Sequence, residues 1–122
     1  MNQGKILIVE DEIISALDLQ GILERAGYET AKIATTGEEA VELAAKEKPD
    51  VVLMDIHIEG KMDGIQAAEK ISMALGMPII FMTGYSDENM IKKAQAINPY
   101  AILNKPLELG VLKSTIKSAI ER

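Results

Sequence analysis

The chain contains no cysteine and a single histidine, His57. Without cysteine it cannot form disulfides, zinc sites built on thiolates or a cysteine nucleophile. One histidine is also too few for a metal site made of several imidazoles. Only 3% of the residues are aromatic and the net charge is −6. Neither base stacking nor a basic surface therefore favours direct binding of nucleic acid.

Long apolar runs are missing as well. No run approaches the ~20 residues that a membrane-spanning helix needs, and no basic segment followed by an apolar one opens the chain. We therefore expect a soluble, cytoplasmic protein without membrane contact. A length of 122 residues suits one domain, covering 1–122, and a hydrophobic content of 48% is enough for a packed core.

What the sequence does contain is a repeated alternation of short apolar runs and longer segments with helical spacing. The first, third and fourth runs are almost entirely apolar, which favours strands that are covered on both faces. The second run is mixed and the fifth is short, which suits strands at the edges of a sheet. The five runs cover residues 5–9, 28–33, 51–54, 79–82 and 100–103.

The intervening segments carry helix signals. Thr36 stands three residues before Glu39, and Asp63 stands three residues before Gln66, so each pair predicts a capping box at the start of a helix. Ser86 is expected to cap a further helix over about 87–97. Apolar stripes at helical spacing mark the first and last helices, at positions 16, 19, 22, 23 and 26 and at 109, 112, 116, 119 and 120.

Alternating strands and helices predict an α/β fold with a five-stranded parallel sheet and helices on both faces. With the apolar strands in the centre and right-handed crossovers, the strand order is 2-1-3-4-5. This is the flavodoxin-like, doubly wound (βα)5 sandwich, in which ligands bind beyond the carboxyl ends of the strands.

Polar residues follow the predicted strands at that edge. Glu10 and Asp11 come after the first strand, Asp55 after the third, Thr83 after the fourth and Lys105 after the fifth. Because these four strands are neighbours in the predicted order, we expect the five side chains to surround one crevice.

Three carboxylates in one crevice repel one another by roughly 3 kcal/mol per pair at ~5 Å and an effective dielectric constant of ~20. Either one of them is protonated or a cation lies among them. The available ligands are oxygen atoms, which favours Mg²⁺. With the ammonium of Lys105 and the hydroxyl of Thr83 this is a site suited to phosphoryl transfer, and Asp55, ionised at neutral pH, can act as the nucleophile.

At these positions the sequence resembles the receiver domain of two-component response regulators, the superfamily that also contains chemotaxis response regulators. The resemblance covers the whole chain and depends on five motifs in order. They are the acidic pair Glu10–Asp11, VVLMD ending in Asp55, the Met62–Asp63–Gly64 turn, FMTG containing Thr83, and Lys105–Pro106.

The resemblance implies a phosphoacceptor at Asp55, which takes a phosphoryl group from a sensor histidine kinase or a histidine phosphotransfer protein. It implies Mg²⁺ held by Asp11 and Asp55, by Glu10 through water and by the backbone carbonyl of His57. Lys105 would pair with the acceptor carboxylate and then with the phosphoryl oxygens.

Four further implications concern switching, the backbone, chemistry and oligomeric state. Thr83 would move toward the phosphoryl group and control an unknown output partner, and the Lys105–Pro106 peptide would be cis. The domain would not be an enzyme beyond Mg²⁺-dependent self-phosphorylation from a phosphodonor and slow autodephosphorylation. It would be a monomer, or a homodimer when phosphorylated.

The sequence also departs from the family pattern. Ile102 stands at the switch position, three residues before the lysine, where receivers often carry an aromatic residue. The segment between Asp55 and Gly64 is one residue longer than is common and lacks the usual proline. His57 and Tyr85 stand where side chains flank the incoming water in this family.

Three other functions fit part of the pattern. An aspartyl-phosphate phosphatase would have a second aspartate two residues after the nucleophile, where this chain has His57. A flavin-binding module would have to place the flavin phosphate beside Glu10, Asp11 and Glu12, which would repel it. A receiver that only acts as a scaffold would not need the intact acidic cluster.

Overall fold

The computed structural model describes residues 3–58, 60–84 and 88–121, and strands alternate with helices through these ranges. The helical and extended segments predicted from the sequence are all present. The elements in chain order are β1 (Lys5–Val9), α1 (Ile13–Arg25), β2 (Glu29–Thr30), α2 (Gly37–Glu47), β3 (Val51–Asp55), α3 (Gly64–Leu75), β4 (Ile79–Thr83), α4 (Glu88–Ala96), β5 (Ala101–Asn104) and α5 (Leu109–Glu121).

The strands form one parallel sheet in the order β2-β1-β3-β4-β5, which confirms the predicted doubly wound fold. The register aligns the strand ends. Val9 pairs with Met54, Asp55 with Met82, and Thr83 with Asn104. The polar residues that end these strands therefore lie along one edge of the sheet.

The core consists of two apolar layers, one on each face of the sheet. Along β3 the side chains alternate between the layers because successive residues of a strand point to opposite faces. All five residues of β3 and of β4 are buried, as the apolar runs predict. The layer under α2, α3 and α4 includes Val52, Met54, Leu43 and Ile71, and the layer under α1 and α5 includes Val51, Leu53, Leu23 and Ile116.

The second strand is shorter than the predicted 28–33, because its pairing with β1 is interrupted. The amide of Ala31 donates to Ile6 O, whereas the next such bond along β1 runs from Ala34 to Ile8 O. The three-residue advance from Ala31 to Ala34 thus corresponds to a two-residue advance from Ile6 to Ile8 on β1. The extra residue interrupts the ladder of hydrogen bonds in the manner of a bulge. Pairing resumes only as a single bridge between Val9 and Ala34.

The helix starts follow the sequence signals with one difference. Asp63 and Gln66 form the reciprocal capping box at α3. At α2, the Thr36 side chain accepts from the amide of Glu39, but the Glu39 carboxylate accepts from Thr35 instead of Thr36. The predicted cap Ser86 lies outside the described residues. Within the described ranges, no helix has both the length and the apolar character that a membrane crossing requires.

Candidate functional site

The three acidic residues predicted to meet do lie together at the carboxyl end of the sheet. Glu10 follows β1, Asp55 ends β3, and these two strands are neighbours. One carboxylate oxygen of each of Glu10, Asp11 and Asp55 lies within 4.8 Å of the others. Glu10 and Asp55 are buried, and Asp11 is exposed. Oxygen ligands in this arrangement could hold a hard divalent cation such as Mg²⁺.

Lys105 reaches this cluster from the loop after β5. Its Nζ lies 3.1 Å from Asp55 Oδ2 and 3.4 Å from Glu10 Oε1. The backbone fixes this approach, because the amide of Lys105 donates to the carbonyl of Thr83 at 2.8 Å. The Lys105–Pro106 peptide is cis, the geometry that the resemblance implied.

The two oxygens of Asp55 have different partners. Oδ2 faces the Lys105 ammonium, whereas Oδ1 accepts a hydrogen bond from the backbone N–H of His57 at 2.9 Å. The amide and the ammonium together fix the orientation of the carboxylate. They also stabilise its negative charge, as charge-assisted hydrogen bonds do.

Glu10 and Asp55, the two buried carboxyls of the cluster, have pKa values shifted in opposite directions. Burial is the main cause that raises the pKa of Glu10, to about 8, and the neighbouring Asp55 adds to the effect while Lys105 opposes it. Burial also tends to raise the pKa of Asp55, but contacts with Glu10, the His57 amide and Lys105 outweigh burial, so the pKa of Asp55 is lowered. Of this buried pair, Glu10 is thus the carboxyl that favours the proton and Asp55 the one that favours the negative charge.

Thr83 is buried at the end of β4, between the strand that carries Asp55 and the strand that precedes Lys105. Ile102 is half-buried on β5, where it pairs with Phe81 and packs against the layer under α2, α3 and α4. Tyr100 lies at the other end of β5, and its hydroxyl hydrogen-bonds the Ser118 hydroxyl on α5. Tyr85 lies outside the described residues.

The contacts that hold the loop after Asp55 have no counterpart among the sequence predictions. A Cβ placed on Gly64 would lie 2.4 Å from the Asp55 carbonyl oxygen, so only glycine lets α3 begin so close to the acidic cluster. Glu38 on α2 accepts a hydrogen bond from the amide of Met62 in the same loop at 2.8 Å. The Met-Asp-Gly motif pointed to the glycine, but no pattern in the sequence pointed to Glu38.

The parallel (βα)5 sheet carries an acidic cluster, a buried hydroxyl and a bridging lysine at its carboxyl end. It defines a doubly wound domain whose crevice could hold a cation. Residues 6–117 match the family model of the response regulator receiver domain. The chain therefore belongs to this family, and it is a receiver domain of two-component signalling, as the resemblance implied.

Individual relatives agree with this assignment. The chain is 37% identical over 118 residues to the transcriptional regulatory protein PdtaR of Mycobacterium tuberculosis, a match that covers 97% of this chain and 57% of PdtaR. It is 31% identical to sporulation initiation phosphotransferase F of Bacillus subtilis, with 96% of this chain and 94% of that protein covered. It thus spans little more than half the length of PdtaR.

Among solved structures, the fold is similar to the signal receiver domain of a modulated diguanylate cyclase from Desulfovibrio desulfuricans G20. The TM-score is 0.92 at 36% sequence identity, with 97% of this chain and 94% of that chain covered.

Proposed function

We propose that Asp55 is the phosphoacceptor of this receiver domain, which comprises residues 1–122, and that the reaction depends on Mg²⁺. The observation that carries the proposal is the contact of Lys105 with Asp55 at 3.1 Å, inside a cluster of three carboxylates. This arrangement supplies an ionised nucleophile, positive charge beside it and oxygen ligands for a metal.

In the proposed step, a carboxylate oxygen of Asp55 attacks the phosphorus of a phosphohistidine on a partner protein. A P–O bond forms to Asp55 and the P–N bond breaks, so that its electron pair returns to the imidazole. The product is an acyl phosphate on Asp55. Lys105 then faces the phosphoryl oxygens, and Thr83 donates its hydroxyl hydrogen to one of them.

The donor set fits Mg²⁺. The ligands would be Asp11 and Asp55, Glu10 through water and the backbone carbonyl of His57. Glu10 Oε2 is buried and has no hydrogen-bond partner in the described part of the chain, so an oxygen is available to accept from a metal-bound water. When bound, Mg²⁺ would neutralise the charge of the phosphoryl oxygens.

The proposed partner is a sensor histidine kinase or a histidine phosphotransfer protein. Movement of Thr83 toward the phosphoryl group, with repacking of Ile102, would change the surface that an output partner reads. The domain would act as a switch that dephosphorylates itself slowly, either as a monomer or as a phosphorylation-dependent homodimer.

The test uses acetyl phosphate and Mg²⁺ with intact-protein mass spectrometry. We expect the wild-type chain to gain one phosphoryl group, and Asp55→Asn to gain none. Asp18→Asn is a matched control because Asp18 is exposed on α1 and is not part of the acidic cluster. Equal labelling of Asp55→Asn and the wild type would contradict the proposal.

The same samples test the competing hydrolase. Repeated turnover of a small phosphate ester such as p-nitrophenyl phosphate, lost in Asp55→Asn, would indicate an aspartyl-phosphate phosphatase. We expect single phosphorylation without such turnover, since His57 occupies the position where that class of enzyme needs a second acid.

A further inference from the structure

The loop that joins β3 to α3 is described at residues 56–58 and 60–63, and it begins beside the proposed phosphoacceptor. Its first half is fixed by the sheet and the core. Ile56 and Ile58 are buried in the apolar layer under α2 and α3, and the His57 amide binds Asp55 Oδ1 at 2.9 Å. The backbone carbonyl of His57, which is proposed as a metal ligand, therefore lies in this loop.

The second half of the loop is held by a different element. Met62 donates its amide hydrogen to Glu38 Oε1 at 2.8 Å. On its other side, a Cβ placed on Gly37 would lie 2.4 Å from the Met62 carbonyl oxygen. Two consecutive residues at the start of α2 thus contact both polar groups of one loop residue, and together they fix its backbone.

The end of the loop returns to the acidic cluster, at the start of α3. Gly64 follows Met62 by two residues, and its Cα packs against the Asp55 carbonyl, where a Cβ would lie 2.4 Å from the oxygen. A shift of Met62 therefore cannot be absorbed by the end of the loop without disturbing the backbone beside Asp55. Packed interiors leave little free space to take up such a shift.

We propose that Glu38 is a positioning residue for phosphoryl transfer. Glu38 does not belong to the acidic cluster and is exposed on α2. It acts through the amide of Met62 and, by way of Gly64 two residues further on, helps to set the backbone beside Asp55. This inference rests on the proposed function, and it adds that α2 helps to set the affinity of the site for Mg²⁺.

The test compares Glu38→Ala, which removes the acceptor, with Glu38→Gln, which keeps a carbonyl oxygen at the same place. Glu42→Ala is the matched control, since Glu42 is an exposed carboxylate on the same helix. Mg²⁺ binding is measured directly by calorimetry. The rate of phosphorylation by acetyl phosphate is also measured as a function of Mg²⁺ concentration, which separates the half-saturating concentration from the maximal rate.

We expect Glu38→Ala to raise the half-saturating Mg²⁺ concentration by about three- to tenfold, the range that the loss of one charge-assisted hydrogen bond allows. Glu38→Gln should restore most of the affinity, and Glu42→Ala should behave as the wild type. Gly37→Ala is a second route to the same result, because it keeps Glu38 but displaces the Met62 carbonyl.

Three results would overturn the inference. One is an unchanged Mg²⁺ response in both Glu38→Ala and Gly37→Ala. Another is equal weakening in Glu38→Gln and Glu38→Ala, which would assign the effect to charge instead of the hydrogen bond. The third is a loss of stability in urea with no change in the Mg²⁺ response. Failure of the proposed function is distinct, because the wild type would then not be labelled at Asp55.

Discussion

The ammonium of Lys105 lies 3.1 Å from Asp55 Oδ2, although 50 positions separate the two residues in the sequence. It also lies 3.4 Å from Glu10 Oε1, so one cation bridges two buried carboxylates. If Mg²⁺ binds as proposed, metal and ammonium would compete for the same oxygens before phosphorylation, and both would face the phosphoryl group afterwards.

Replacing Lys105 by methionine should separate these two effects. Lys105→Met keeps the length of the side chain but removes its charge, so we expect Mg²⁺ to bind more tightly, because the carboxylates lose their internal cation. Labelling by acetyl phosphate should slow by roughly 10²-fold, the loss typical of one donor that stabilises transition-state charge.

The measurements are Mg²⁺ titration by calorimetry and the initial rate of labelling. Lys92→Met on the exposed face of α4 is the control and should change neither quantity. Weaker Mg²⁺ binding in Lys105→Met would show that the lysine does not compete with the metal.

Asp11 is the exposed member of the acidic cluster, so it can be replaced with little effect on the core. We expect Asp11→Ala to weaken Mg²⁺ binding at least about tenfold, because a unit charge beside a divalent cation contributes more than the ~1.4 kcal/mol that a factor of ten requires. Glu12→Gln, one residue further on, is the control. Equal affinity of Asp11→Ala and the wild type would remove Asp11 from the ligand set.

The raised pKa of Glu10, about 8, predicts how stability depends on pH without metal. Between the ordinary value of 4.5 and about 8 the folded protein binds more protons than the unfolded chain, so the free energy of unfolding should fall as pH rises through this range. The lowered pKa of Asp55 affects the free energy of unfolding only at acid pH, and the raised pKa of Lys105 affects it only at alkaline pH.

Urea unfolding in EDTA at several pH values between about 6 and 9 checks this expectation. In Glu10→Gln the side chain cannot ionise, so the fall in the free energy of unfolding that Glu10 causes should be absent. Added Mg²⁺ should offset the decline in the wild type, because the metal binds the ionised form. Identical pH profiles for Glu10→Gln and the wild type would contradict the assignment of the proton to Glu10.

Two glycines should respond to alanine in opposite directions. In Gly64→Ala the new Cβ would clash with the Asp55 carbonyl, so we expect a loss of about 1–3 kcal/mol of stability. Gly21 lies inside α1, and a Cβ there would meet only the mobile end of Arg25. Gly21→Ala should therefore stabilise the protein by up to about 1 kcal/mol. Thermal unfolding of the two variants beside the wild type decides between these signs.

The sequence predicted the central part of the fold because burial on both faces leaves a direct mark, the apolar runs of β1, β3 and β4. It predicted the meeting of Asp55 with Lys105 because parallel strands end at a common edge. It did not predict that pairing of the second strand stops after Thr30, since the extra residue before Ala34 depends on register and not on the polarity of side chains.

The contact between Glu38 and Met62 could not be predicted for a similar reason. The two residues are 24 positions apart, and their meeting depends on how α2 packs beside the loop. In the sequence, Glu38 looks like an ordinary carboxylate in the first turn of a helix, where the helix dipole favours negative charge. Only the tertiary structure shows that it contacts the loop.

The backbone bond from the Lys105 amide to the Thr83 carbonyl joins the loop after β5 to the end of β4. Because this bond joins the two backbones, a displacement at the end of β5 would be transmitted to the end of β4, where Thr83 lies. The described part of the sheet ends at β5, directly beside this link. A movement at the β5 edge of the sheet can thus reach the acidic crevice without first deforming the buried core. A change in the crevice can reach that edge in the same way.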